Sequence, residues 1–527
     1  MRMTSARTAV LTLIAILGAG LSATLAAEVR LPAVFSDHMV IQRDQPVAIW
    51  GWAGRGEAVA VRLAGREQKA RAGGDGTWRV AFDALQAGGG PLELTVRGER
   101  DPETVVRDIL VGEVWLCSGQ SNMEWSMLAI ASPTPEILRA EDPGLRLFQV
   151  PRRTSDRPEE DIDAKWAVAT PEAVRPFSAV AYYFGLELRR SLGVPVGLIM
   201  SAWGGTAIEP WTPPAGFAAV PELRPILDGL EGRLAVYRRD LDKALPAWDV
   251  WVRESRRALT SKTTLPQKPT LPANPFGDPQ TPTTLYNGMI HPLIGFAIRG
   301  AIWYQGESNR NDGLLYEKKM EALIRGWREV WKTGDLHFYY VQLAPFNYAY
   351  GREAQTLDVP EALRLPLIWE AQTNILRLPN TGMAVVTDIT DLNDIHPRNK
   401  KDVGLRLALW ARARAYGESG LVYSGPLFKS MTVEGGRARL SFDHVGGGLI
   451  SNDGQPLRWF EMAGEDRVFT KAEARIEDAT VVVSSSRVAS PRAVRFGWHQ
   501  LAVPNLANKE GLPASPFRTD RWENSPR

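Results

Sequence analysis

Apolar and polar positions fall into four regimes along the chain. Residues 28–107 hold short apolar or alternating runs, such as Pro46-Val47-Ala48-Ile49-Trp50 and Leu92-Glu93-Leu94-Thr95-Val96. Gly73-Gly74-Asp75-Gly76 and Gly88-Gly89-Gly90 separate such runs, and the pattern predicts a small N-terminal β domain. From 108 to 419 strand-like runs alternate with helical spacing. The runs are 109–116, 196–200, 300–304, 338–343 and 383–387. Helical patterns lie at 179–188, around Met320, Leu323, Ile324 and Trp327, and at 400–416 with Val403, Leu407 and Trp410. Such alternation predicts an α/β fold, a parallel sheet covered on both faces. It is interrupted at 216–282, where Leu223, Ile226, Leu227, Leu230, Leu234, Leu241, Leu245, Trp248 and Val252 keep a helical period among charged residues. A Pro-rich stretch from Pro266 to Pro282 follows, so the expectation is a helical insertion with an extended return strap. Its roles are packing or a wall of the functional cleft. From 420 to 527 the runs are strand-like again, as in 437–442 and 480–484, predicting a C-terminal β domain.

Residues 1–27 stand apart. Arg2 and Arg7 precede the apolar run 9–17, and small residues follow at Ser22-Ala23-Thr24-Leu25-Ala26-Ala27. This is the pattern of a signal peptide cleaved after Ala26 or Ala27, and the run is short for a membrane span of about 20 residues. The expected protein is exported, periplasmic or secreted, with no membrane anchor in its mature form. At 527 residues the chain exceeds what one core of about 250–300 residues usually holds. Its 62 Lys and Arg against 60 Asp and Glu become balanced once Arg2 and Arg7 are removed, which gives no electrostatic reason to bind nucleic acid or an acidic membrane. Cys117 is the single cysteine and reads as a small buried hydrophobe. No Cys/His spacing suits a metal, and the sequence implies no cofactor. It leaves oligomeric state open.

The chemistry-bearing residues lie just past the strand-like runs, where open α/β sheets place their sites. Ser121, in Gly119-Gln120-Ser121-Asn122-Met123, follows the 109–116 run and is placed as a nucleophile usually is. His396, in Asp391-Leu392-Asn393-Asp394-Ile395-His396-Pro397, follows the 383–387 run and stands where a general base would, beside acids able to hold its tautomer. The turns 201–206 and 305–309 suit oxyanion duty: glycines let a backbone N–H face a cleft, and Asn309 offers an amide donor. Gln305 and Glu307 are candidate substrate contacts.

Four motifs taken together, Gly119-Gln120-Ser121-Asn122-Met123, Trp203-Gly204-Gly205-Thr206, Gln305-Gly306-Glu307-Ser308-Asn309 and Asp394-Ile395-His396-Pro397, resemble the sialate O-acetylesterase family of the SGNH-hydrolase superfamily. The resemblance extends to 31–39 and to Val503-Pro504-Asn505-Leu506. It implies a three-layer α/β/α sandwich with accessory β domains. It also implies Ser121 as nucleophile, His396 as general base, and Gly205, Asn309 and the Ser121 N–H as oxyanion hole. Where the superfamily usually carries Asp three residues before its His, this chain has Asn393. Asp394 is the choice for the orienting acid, with Asp391, Glu307 or no acid as alternatives.

The expected activity is serine-dependent hydrolysis of acetyl esters on sugars, on a sialic acid or on a plant cell-wall polysaccharide of xyloglucan or xylan type. Trp125, Trp203, Trp211 and Trp303 lie near the motifs and serve either the core or stacking on sugar rings. Two other classes compete: glycoside hydrolysis by Glu307 with Asp394, and non-catalytic carbohydrate binding.

Overall fold

The computed structural model describes residues 28–99, 102–130, 135–348 and 361–522. The signal-peptide expectation for 1–27 therefore lies outside the described residues.

By internal contacts the chain forms two compact units. In the described residues one comprises 28–31, 49–81 and 94–105, the other the remainder. Six strands precede the main sheet: β1 (Val40–Gln42), β2 (Val47–Trp52), β3 (Ala58–Leu63), β4 (Arg66–Arg71), β5 (Thr77–Phe82) and β6 (Leu92–Arg97). In the smaller unit β3 pairs antiparallel with both β4 and β6. Alternation along β3 buries Val59, Val61 and Leu63.

The larger unit is built on β7 (Thr104–Gly119), β8 (Asp142–Gln149), β9 (Trp166–Ala169), β10 (Val196–Ala202), β11 (Gly300–Tyr304), β12 (His337–Val341) and β13 (Thr381–Ala384). Strand β7 runs unbroken through the expected domain junction at 107/108. The order is β13-β12-β11-β7-β10-β8-β9, parallel throughout except for the antiparallel edge strand β9. Strand periodicity sends Phe338 and Tyr339 to opposite faces. Phe338 meets Trp327 of helix Leu315–Trp331 at 5.8 Å, and Tyr339 meets Trp410 of helix Lys400–Trp410 at 6.4 Å. Trp115 joins the second face through Phe184 of helix Ala179–Leu192 at 5.1 Å. Helices thus cover both sides of the sheet, as the alternation predicts, in the three-layer α/β/α arrangement that the resemblance implies. Cys117, on β7, is a buried thiol.

The long helix of the inserted segment is Arg224–Ser261, with Pro246 inside it. Of its apolar stripe Leu230 is buried, while Leu245 and Val252 are exposed. The strap that follows lies partly along this helix, and the Trp251 indole donates to Pro266 O at 2.9 Å. Past 420, two antiparallel sheets share one core, with Leu440, Val481 and Val483 from one and Phe460, Met462, Val494 and Phe496 from the other.

Candidate active site

The parallel register aligns three strand ends. Gly119 of β7 is opposite Ala202 of β10 on one side and Tyr304 of β11 on the other. The turns that follow these strands therefore emerge side by side at the carboxyl edge. Gly119 has φ 140°, and a Cβ there would lie 2.2 Å from Tyr304 O, so glycine is required for the chain to turn this close to β11. The next residues, Ser121–Glu124, form one helical turn whose first amides have no intrahelical acceptor.

His396 arrives from the loop after β13. Its Nε2 lies 2.8 Å from Ser121 Oγ, across 275 residues of sequence. The Trp125 ring stacks on the imidazole at 4.7 Å and 18° and holds its plane. Asp394 is the nearby acid, but its Oδ1 is 3.8 Å from His396 Nδ1, too long for a hydrogen bond. Instead that oxygen accepts the His396 backbone N–H at 2.9 Å. Asp394 thus shapes the loop and supplies a charge rather than a direct tether. Asp391 accepts the Asn393 N–H, and Glu307 pairs with Asn122, so each of these alternatives is engaged elsewhere. Burial lowers the proton affinity of His396, the Lys400 ammonium lowers it further, and Asp394 opposes both.

Gly205, at φ 77°, is exposed. Its carbonyl accepts from Gln280 Nε2 at 2.7 Å and from Ser308 Oγ at 3.0 Å, while its N–H makes no hydrogen bond among the described residues. The preceding N–H, of Gly204, is taken by Glu124 Oε2 at 2.8 Å. Gln280 closes the return strap and also accepts the Ala207 N–H, so the strap's end, rather than the long helix, borders the site.

Two expectations need correction. Asn309, read as an oxyanion donor, has both amide hydrogens committed: Nδ2 donates to Glu209 Oε2 at 3.0 Å and Asp312 Oδ2 at 2.7 Å. Its Oδ1 accepts from Ile208 N and Gln305 Nε2. A side chain so saturated has no donor left for a developing oxyanion. Gln305, read as a substrate contact, is fully buried. It donates to Asn309 and Thr206 O and accepts from Tyr316 OH at 2.7 Å. Glu307, the other such candidate, is buried under Asn122, and burial raises its proton affinity.

Of the tryptophans, Trp211 and Trp303 belong to the core, whereas Trp125 and Trp203 border the site. Arg152 lies over Trp203 at 5.7 Å and pairs with Glu124. A groove of about 640 Å³, lined by Glu124, Trp125, Gln149, Arg152 and Ala202 among others, opens beside the Ser121 turn.

Sequence reasoning missed Lys400. It is buried at the first position of helix Lys400–Trp410 and donates to Asn122 Oδ1. Its position was the available signal, because a cation at a helix N-terminus opposes the macrodipole.

A family model for a carbohydrate esterase, sialic acid-specific acetylesterase, matches residues 278–408. The sialate O-acetylesterase of Pongo abelii is 32% identical over 93% of this chain and 92% of its own length. The human sialate O-acetylesterase is 32% identical over 76% of this chain and 73% of its own. The crystal structure of a carbohydrate acetylesterase from Xanthomonas citri, 40% identical, superposes with a TM-score of 0.77 and covers 94% of this chain and 100% of that one. The motifs resemble those of that family, the residues carrying them meet at one sheet edge, and full-length relatives align across the chain: it belongs to the sialate O-acetylesterase family.

Proposed function

We propose that the protein is an exported carbohydrate O-acetylesterase whose nucleophile is Ser121. The observation that carries this reading is the 2.8 Å contact of His396 Nε2 with Ser121 Oγ at the carboxyl edge of a parallel sheet. His396 takes the serine proton as Oγ attacks the acetyl carbonyl. The tetrahedral oxyanion is received by the Ser121 and Gly205 N–H groups, both free to donate at the mouth of the turn. His396 returns the proton to the departing sugar hydroxyl, and water then resolves the acetyl-enzyme. Asp394 favours the transient imidazolium by its charge across 3.8 Å. Every step uses groups of this chain, and none calls for a metal or an organic cofactor.

The substrate is an acetylated carbohydrate, and the groove walled by Trp125 and Arg152 is where its sugar portion fits. Export rests on the 1–27 pattern alone. The division into an N-terminal β domain (28–107), a catalytic region (108–419) and a C-terminal β domain (420–527) belongs to the same proposal. The competing glycosidase pair is disfavoured by Glu307, which is buried and bound to Asn122.

Ser121→Ala should abolish p-nitrophenyl acetate turnover while leaving the circular dichroism spectrum unchanged. Retained turnover would remove Ser121 from its role. Acetate release from a panel of acetylated sialic acids and wall polysaccharides identifies the glycan.

A further inference from the structure

We propose that Lys400, Asn122 and Glu307 are positioning residues that hold the Ser121 turn in register with the His396 loop. The inference rests on the Ser121–His396 reading above. Asn122 directly follows Ser121, and Ile395 directly precedes His396. Asn122 Nδ2 donates to Ile395 O at 3.0 Å, so one side-chain bond ties the neighbour of each reacting residue to the other.

The orientation of that amide is set from two sides. In its ammonium form Lys400 Nζ carries only donors, and it meets Asn122 Oδ1 at 2.5 Å. The Glu307 carboxylate meets Asn122 Nδ2 at 2.5 Å as an acceptor. A flipped amide would face donor against donor and acceptor against acceptor. With Lys400 and Glu307 in place, the second Nδ2 hydrogen can only point to Ile395 O.

The arrangement is costly, which argues that it is kept for a purpose. Asn122 and Lys400 are each 1% exposed and Glu307 6%. Burial pulls the Lys400 ammonium down to about 7, with Glu307 and Asp394 pulling it back up. The helix N-terminus on which Lys400 sits disfavours its charge further. An apolar side chain of similar length would fill the same space without these penalties. Lys400 also lies over the rings of Trp125 and Tyr304, at 5.6 and 5.5 Å, and Trp125 is the ring stacked on His396. The charged groups acting on His396 are Lys400 and Asp394, of opposite sign. Lys400 therefore acts twice: it orients Asn122, and its charge helps keep His396 neutral and ready to accept the serine proton.

The test uses full-length protein with p-nitrophenyl acetate, following kcat, KM, pH dependence and thermal unfolding. Lys400→Met should lower kcat by roughly 10²-fold with KM within about twofold, as expected when reacting groups lose their alignment. The acid limb of kcat/KM, which reports the free enzyme, should move to higher pH because a cation that disfavoured imidazolium is gone. Lys400→Met/Glu307→Gln removes both buried charges and should keep the shifted limb while unfolding no lower than wild type. An unmoved acid limb in both variants overturns the proposal. So does a kcat within about threefold of wild type, or a kcat loss that tracks a fall in unfolding temperature in both. Wild-type turnover that survives Ser121→Ala sinks the parent esterase reading instead, so the two failures are distinguishable.

Discussion

At His396, burial and Lys400 press toward the neutral ring, and Asp394 presses back. The two neighbours therefore predict opposite mutational signatures. Asp394→Asn removes the charge that favours imidazolium, so the acid limb of kcat/KM should move to lower pH. Its Oδ1 remains to accept the His396 N–H, so the loop should survive. Because the carboxylate is 3.8 Å from Nδ1, kcat should fall only about 3- to 10-fold. Steady-state kinetics across pH checks both points, and a loss of 10³-fold or more would mean that the carboxylate closes onto the ring during turnover. That Ser121 and His396 stand at the carboxyl edge of the sheet was legible because each sits in a short motif just past an apolar run. The role of Asn309 was not. An amide in a turn looks like a free donor until Glu209 and Asp312, which take both of its hydrogens, are seen beside it.

At the scale of elements, the site is a consequence of strand register. Gly119 pairs with Ala202 and Tyr304, so the turns carrying Ser121, Gly205 and Glu307 share one edge. Gly119→Ala would drive a methyl into Tyr304 O, where backbone cannot yield cheaply, and would add a side chain at positive φ. It should destabilise the protein by about 2–4 kcal/mol in urea unfolding and cut kcat in whatever fraction stays folded. A variant of wild-type stability would show that β7 and β11 can part at this point without consequence. Strand β11 was predicted at its observed residues because a continuous apolar run leaves little ambiguity. Strand β8 was missed because it opens Asp142-Pro143-Gly144, a turn signal. It also carries Arg146, buried only because Asp108 receives its guanidinium at 2.6 Å.

At the largest scale, the bigger unit carries an ion cluster at the end of its sheet opposite the Ser121 turn. Glu113, fully buried on β7, accepts from Arg43 Nε at 2.5 Å, Arg299 Nε at 2.9 Å and Gln42 Nε2 at 3.0 Å. It ties the segment after β1 and the entry to β11 onto the central strand. Glu113→Leu leaves two partly buried guanidinium groups with only the exposed Asp44 carboxylate, at 3.5 Å from Arg43 and 3.8 Å from Arg299, and should cost about 3 kcal/mol of unfolding free energy. The pH profile of turnover should not move, since the cluster is remote from His396. A changed acid limb would mean that its field reaches the site. His337, which starts β12, adds an acid sensitivity. Burial lowers its proton affinity to about 4 from an ordinary 6.5, so the unfolded chain binds more protons between those values. Stability should therefore fall as pH drops through that window, and His337→Gln should flatten the fall in unfolding temperature.

The chain by itself determined its layers, the strands of the sheet centre and the turns that carry Ser121, His396 and Gly205. Each of these is written in a local period or a short motif, and period and turn chemistry act over a few residues. The tertiary structure alone decided which donors remain free, which acid faces the imidazole and at what distance, and that Lys400 stands behind Asn122. Those outcomes depend on partners far apart in sequence, 275 residues for Ser121 and His396 and 278 for Asn122 and Lys400, and only the parallel register brings them within hydrogen-bond reach.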